Sequence, residues 1–164
     1  MTLSIIVSAG EHHEIGRNNG LLCHLSADMK RVKELTTGHT IVMGRKTFDS
    51  LPKGPLPNRR NIILSRNRDR TVEGAEIYPS LSDALANLTG EDEVFIFGGG
   101  EIYRQAIGIA DKIYLTVIHH IFEDADTFFP VIQPDVWEET AHSDFSEDEK
   151  NPYPYSFLTY LRKK

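Results

Sequence analysis

The sequence predicts an α/β fold built on a mostly parallel sheet, and three observations carry that prediction. Short apolar, β-branched runs recur along the 164 residues: Leu3 to Val7, Thr40 to Met43, Asn61 to Leu64, Glu93 to Phe97 and Lys112 to Val117. Such near-continuous apolar runs suit strands buried on both faces. Helical stretches separate them, as crossovers between parallel strands require. The last two strand-like segments, Trp137 to Asp144 and Tyr153 to Leu161, have only an acidic loop between them, which predicts an antiparallel hairpin at one edge of the sheet.

The elements follow in order. After the first strand, Ser26 to Thr36 reads as a helix with Ser26 as its N-cap. The strand Thr40 to Met43 runs into a helix start at Arg45, and Pro52-Lys-Gly-Pro-Leu-Pro-Asn58 is short enough for a surface loop. Ser80-Leu-Ser-Asp83 is a capping box before Ala84-Leu-Ala-Asn-Leu88. The strand Glu93 to Phe97 ends in three glycines that open another helix. No repeat, low-complexity tract or linker interrupts the chain, so residues 1–164 are expected to form one domain.

Composition removes several classes of function. Asp and Glu outnumber Lys and Arg by 24 to 18, with acidic residues clustered at 143–149, so nucleic acid is not an expected partner. The lone Cys23 excludes an internal disulfide framework, and the adjacent pairs His12, His13 and His119, His120 lack zinc-ligand spacing, so no metal is expected. The first apolar run meets Glu11 before it could serve as a signal core or cross a bilayer, and a cytoplasmic, reducing location is expected.

Several segments have residue types suited to ligands. In Ile41-Val-Met-Gly-Arg-Lys-Thr-Phe48 a glycine ends a strand and two cations start a helix, a pattern that either binds phosphate or makes a tight turn with solvated cations. The Walker A spacing is absent. Gly98, Gly99 and Gly100 cost backbone entropy, so they serve either a pyrophosphate lying against the main chain or a flexible turn. The Gly-x-Gly-x-x-Gly register fails at Tyr103. Asp28 lies in the first turn of its helix after Leu21-Leu-Cys-His-Leu25; it either complements the helix dipole or places a carboxylate in an apolar cleft, able to hold an amidine-like ring edge. Arg59 and Arg60 are surface charge or a partner for a ligand carboxylate, and Ser65 with Arg66 is a turn or a phosphate contact.

Together these pieces are far more specific than any one alone. The ordered set Ile15-Gly16, Leu25-x-x-Asp28, Met43-Gly-Arg-Lys-Thr47, Leu56-Pro-Asn-Arg59, Asn61-Ile-Ile-Leu-Ser65, Gly98-Gly-Gly-x-x-Tyr103, Tyr114-Leu-Thr116 and Asp126-Thr-x-Phe-Pro130 resembles bacterial dihydrofolate reductases over nearly the whole chain. The resemblance implies an eight-stranded, mostly parallel sheet with an antiparallel C-terminal edge and four flanking helices. It also implies a monomeric enzyme that passes hydride from NADPH to dihydrofolate, feeds one-carbon metabolism and binds antifolate inhibitors.

Carried over position by position, the resemblance implies that Asp28 bonds the pterin's amino group and ring nitrogen, supported by Thr116. Tyr103 and Leu21 would lie near the reacting centre. Ile6 and Phe97 would offer backbone carbonyls to the pterin edge, with Val7 and Met29 beside them. Val32, Leu51 and Leu56 would line an apolar slot, and Arg59 would pair with the glutamate-tail carboxylate. For the cofactor, Arg45, Ser65 and Arg66 would hold the 2′-phosphate beside Leu64, which favours NADPH over NADH. Gly44, Lys46 and Thr47 at one helix start, and Gly98, Gly99, Gly100, Glu101, Ile102, Tyr103 and Gln105 at the other, would surround the pyrophosphate. The family's cis peptide would fall between Gly98 and Gly99. The segment from Ile15 and Gly16 through Asn19, Gly20 and Leu21 matches a mobile lid that excludes water from the hydride path, with Val7, Ser8 and Thr127 nearby.

Three positions depart from the family pattern, one of them Leu22, where some members carry proline. Cys23 stands where many bacterial members carry tryptophan, and Ala125 where glycine is frequent. Rival functions are a same-fold reductase of riboflavin synthesis, a folate- or nucleotide-binding protein without turnover, and a phosphoryl-transfer enzyme. Arg59 argues against the first, and the missing Walker spacing against the last.

Overall fold

The computed structural model describes residues 1–17, 22–67 and 69–164. Ten strands and four helices alternate along it: β1 (Thr2–Ala9), β2 (Glu14–Gly16), α1 (Ser26–Thr36), β3 (Thr40–Gly44), α2 (Arg45–Asp49), β4 (Arg60–Leu64), β5 (Ala75–Tyr78), α3 (Leu81–Ala86), β6 (Glu93–Gly98), α4 (Gly100–Ala106), β7 (Lys112–Ile118), β8 (Thr127–Phe128), β9 (Trp137–Phe145) and β10 (Tyr155–Arg162). Eight strands form one sheet in the order β5-β4-β3-β6-β1-β7-β10-β9, and β2 pairs with β8 in a separate ribbon. The pairs from β5 to β7 are parallel, while β10 runs antiparallel to both β7 and β9. The five buried runs and the C-terminal hairpin are therefore strands as expected.

The side-chain period of a strand explains why those runs are apolar throughout. On β1, Ile5 and Val7 face one core layer with Val42, Ile62 and Ile96, against Leu81 and Ala84 of α3 and Tyr103 and Ala106 of α4. Ile6 points the other way, with Ile41, Met43, Ile63 and Phe95, against Phe48 of α2 and Val32 and Leu35 of α1. Neither face of the central strands meets water, so no polar alternation is needed.

One cap differs from expectation. Ser26 is the first residue of α1, and the cap position is Leu25, whose side chain cannot accept a hydrogen bond. The orphan N–H of Ala27 is instead satisfied by Oδ1 of Asn151, 3.0 Å away and 124 residues distant in sequence. Ser80 does cap α3, its hydroxyl accepting from the Asp83 N–H. β5 was not anticipated, because Ala75-Glu-Ile-Tyr78 is half-buried at the sheet edge and has no apolar run.

Candidate active site

The C-terminal ends of β1, β3, β4 and β6 converge on one cleft, the place where an open α/β sheet presents strand ends and helix starts to a ligand. A cavity of about 600 Å³ opens there, within the range of small-molecule sites. One wall is the β3–α2 junction, Gly44 to Thr47, and another is Leu64, Ser65 and Arg66 after β4. Gly99 through Tyr103 form the floor, and Val7, Ser8, Ile15, Gly16, Phe97 and Thr127 close the remaining side.

The backbone can come this close because side chains are missing. The Gly98–Gly99 peptide is cis, as the resemblance implies, and Gly98 has φ +100°. A Cβ at Gly98 would lie 2.6 Å from the Tyr103 ring, and one at Gly100 would lie 2.7 Å from the Thr127 methyl group. Gly98, by conformation and packing, and Gly100, by packing, are therefore required to be glycine, which answers the flexible-turn alternative at those two positions.

The charge in this cavity is mostly uncommitted. Arg45 makes a long, exposed ion pair with Asp49 at 3.7 Å. Among the described residues, no carboxylate pairs with Lys46, Arg66 or Arg104. Four cations with one weak partner among them form a field suited to a polyanion.

At the other end of the site, Thr116 on β7 donates its hydroxyl to Oδ1 of Asp28 at 2.6 Å. Burial pushes the Asp28 carboxyl above the usual carboxylate range, while the Thr116 bond and the charge of Arg31 pull it back. Helix α1 thus aims an acid with a displaced titration at the sheet, the kind of group active sites collect. The Tyr103 hydroxyl lies 2.8 Å from the Ile6 carbonyl and 2.7 Å from the Phe97 carbonyl. It has one proton, so one of the two acceptors keeps a lone pair for another donor. Burial, with the Asp28 charge behind it, drives the Tyr103 phenol far above its ordinary value, so it remains a neutral donor.

Val32, Leu51, Leu56 and Phe97 pack against Ile6, Phe48 and Phe95 in one apolar cluster. The two neighbouring arginines divide cleanly. Arg60 is held by Glu76 at 2.5 Å and Glu91 at 3.0 Å. Arg59 donates to the Pro57 carbonyl at 2.9 Å and the Thr36 hydroxyl at 3.1 Å, and it has no carboxylate among the described residues. Its guanidinium is half-buried with donors to spare.

Not every expected residue joins the site. Met29 is 57 % exposed. Gln105 lies on the exposed side of α4 and Gly98 is enclosed in its turn, so neither lines the cavity. Asn19, Gly20 and Leu21 fall outside the described residues. Sequence reasoning missed Ser50 and Asn67, which also line the cavity and lie just beyond identified segments; Arg104 lines it from within the Gly98 to Gln105 stretch. It also missed Glu14, whose buried carboxylate accepts the backbone N–H groups of His12 and Phe122, both at 2.5 Å. A lone acid in a polar turn gives no signal of that role.

The fold and this cleft define a class: an α/β enzyme with a cation-lined cavity at the strand ends and a half-buried acid, held by Thr116, on the helix that follows the first strands. The family model described as dihydrofolate reductase matches residues 2–162. Dihydrofolate reductase of Staphylococcus aureus (strain Mu50 / ATCC 700699) is 46 % identical over 164 residues, covering all of both chains. That of Bacillus subtilis (strain 168) is 40 % identical over 161 residues, 98 % of this chain and 95 % of its own. A solved dihydrofolate reductase from Enterococcus faecalis, complexed with NADP(H) and RAB-propyl, superposes with a TM-score of 0.92 at 38 % identity, covering 99 % of this chain and 97 % of that one. The chain belongs to the dihydrofolate reductase family.

Proposed function

We propose that this chain reduces 7,8-dihydrofolate to 5,6,7,8-tetrahydrofolate with NADPH, supplying one-carbon units for thymidylate, purine and amino-acid synthesis. The observation that carries it is the Thr116–Asp28 bond at one end of the site, set against a cation-rich cavity at the other, with the cavity-lining Tyr103 close enough to feel the Asp28 charge.

NADPH fits the cavity on this structure's own terms: Gly99 and Gly100 bring bare main chain to its lining, and among the described residues Lys46, Arg66 and Arg104 on its walls have no carboxylate partner. Arg45, Ser65 and Arg66 would hold its 2′-phosphate, with Arg66 exposed and Arg45 only weakly paired. Lys46, Thr47 and the Gly99–Ile102 backbone would hold the pyrophosphate. When bound, the cofactor supplies the hydride. The protein's own part is to bind, orient and supply an acid. Asp28 would accept two hydrogen bonds from the amidine-like edge of the pterin and favour its protonated form, with Thr116 fixing the carboxylate's orientation. The free lone pair at Ile6 or Phe97 would take a pterin N–H, and the spare donors of Arg59 would grip the glutamate tail. Ile15 and Gly16 line the cavity at the base of the segment that resembles a closing lid. A monomer in the cytoplasm, binding no nucleic acid and inhibited by antifolates, completes the proposal.

The test is NADPH oxidation on mixing the protein with dihydrofolate, with NADH alongside. Turnover that prefers NADPH supports the proposal; saturable NADPH binding without turnover would replace it with a binding function.

A further inference from the structure

Arg31 lies one helical turn beyond Asp28 on α1, and the proposed chemistry does not use it. Three contacts locate its guanidinium. It sits 4.4 Å over the Phe157 ring and 5.6 Å from the centre of the Tyr114 ring. Its Nη1 lies 3.5 Å from the carbonyl of Leu115. Leu115 immediately precedes Thr116, the residue bonded to Asp28, and Phe157 is the β10 residue directly opposite Thr116 in the β7–β10 register. The cation is thereby held on the same short stretch of β7 that holds the acid. Among the described residues it has no carboxylate partner. Ring faces and a carbonyl stabilise a cation without neutralising it, so its field is left to act on its surroundings.

We infer that Arg31 is a positioning residue for the reaction: held over the Phe157 and Tyr114 rings, it sets the electrostatic potential in which Asp28 and the bound pterin share a proton. The inference rests on Asp28 being the acid that meets the substrate. A fixed cation opposes any added proton nearby, whichever partner carries it. Arg31 therefore keeps the proton of the acid–pterin pair transferable, against the burial that would otherwise trap it on Asp28. Among the described residues, the other groups facing this pair are Thr116 and Tyr114 on β7 and Tyr103 on α4, with Lys112 on β7 4.8 Å from the Tyr114 ring centre. Phe157, from β10, is uncharged. Arg31 is the cation nearest in sequence on Asp28's own helix face, and the carboxyl responds to its charge.

The test compares Arg31→Met, which retains the apolar stem, with Arg31→Lys, which retains the charge. The readout is the titration of the Asp28 carboxyl followed by ¹³C NMR in the free protein. Arg31→Met should move the midpoint upward by about 0.5–1 pH unit, the size expected for two partly screened charges several ångströms apart. Arg31→Lys should leave it near the wild-type position, and the alkaline limb of kcat/KM for dihydrofolate should shift upward in Arg31→Met alone. A side chain that only packs would lower stability in Arg31→Met and leave the midpoint in place, and that result overturns the inference. A shifted midpoint in a protein that does not turn dihydrofolate over supports the Arg31–Asp28 relation and counts against the proposed function instead.

Discussion

Thr116 and Asp28 are 88 positions apart, and a 2.6 Å hydrogen bond joins them at the C-terminal end of the sheet. Removing the hydroxyl with Thr116→Val leaves the half-buried carboxylate without that donor. A hydrogen bond to a charged group contributes about 1.5–3 kcal/mol, so kcat/KM for dihydrofolate should fall by about tenfold or more. The Asp28 carboxyl should titrate still higher, because the bond that opposes burial is gone. Steady-state kinetics and the Asp28 titration check both.

Asp28 itself should trade stability for activity. Its folded-state titration is raised by burial, so relative to the unfolded chain its ionisation destabilises the fold. That cost is absent below the ordinary carboxylate range and grows as pH rises through the raised value. Asp28→Asn should therefore melt higher than the wild type at neutral pH, by about 2–4 °C for each kcal/mol relieved, and the difference should vanish in strong acid. Paired melting curves at acidic and neutral pH read this directly.

Arg59 and Arg60 should separate by function. Arg59→Gln is expected to raise KM for dihydrofolate by about tenfold or more, through lost charge-assisted bonds, with little change in melting temperature. Arg60→Gln breaks the Glu76 and Glu91 pairs and should alter stability alone, with KM unchanged. Equal effects on KM would contradict the assignment of the tail to Arg59.

Arg45 and Arg66 should set the choice of cofactor. The double substitution Arg45→Gln with Arg66→Gln is expected to lower kcat/KM for NADPH by about 10–100-fold, the size of one or two charge-assisted contacts. Kinetics with NADH, which lacks the 2′-phosphate, should barely change.

Glu14 is a buried carboxylate that ties the turn before β2 to the segment after β7. Burial raises its titration, but the backbone N–H bonds from Phe122, Glu14 itself and His12, with the His12 charge, outweigh it and leave the net below the usual range. Its contribution is present above the ordinary carboxylate pKa and lost as pH falls through the lowered one. Glu14→Gln should cost about 1.5–3 kcal/mol at neutral pH, seen as a lower urea midpoint. That deficit should shrink in acid.

Much of this was legible in the sequence because the signals are local. Apolar runs such as Thr40 to Met43 mark strands buried on both faces, and Ser80 marks a cap through its own i+3 neighbour. Asp28, Thr116, Arg59 and the glycines were legible through their ordered spacing. What was not legible depends on distant partners. Asn151 caps α1 across 124 residues, Glu14 is paired with Phe122 across 108, and Arg31 owes its position to Leu115 and Phe157. Ser26 failed as a cap because the chain enters α1 one residue earlier, where Leu25 takes the extended conformation.

The most direct test of the central claim is the pH dependence of single-turnover hydride transfer from NADPH deuterated at the transferred position, in the wild type and in Asp28→Asn. The account predicts an isotope effect in the wild type, and in Asp28→Asn a loss that is large at neutral and alkaline pH and narrows in acid, where the pterin is protonated without help. A loss of equal size at every pH would contradict it.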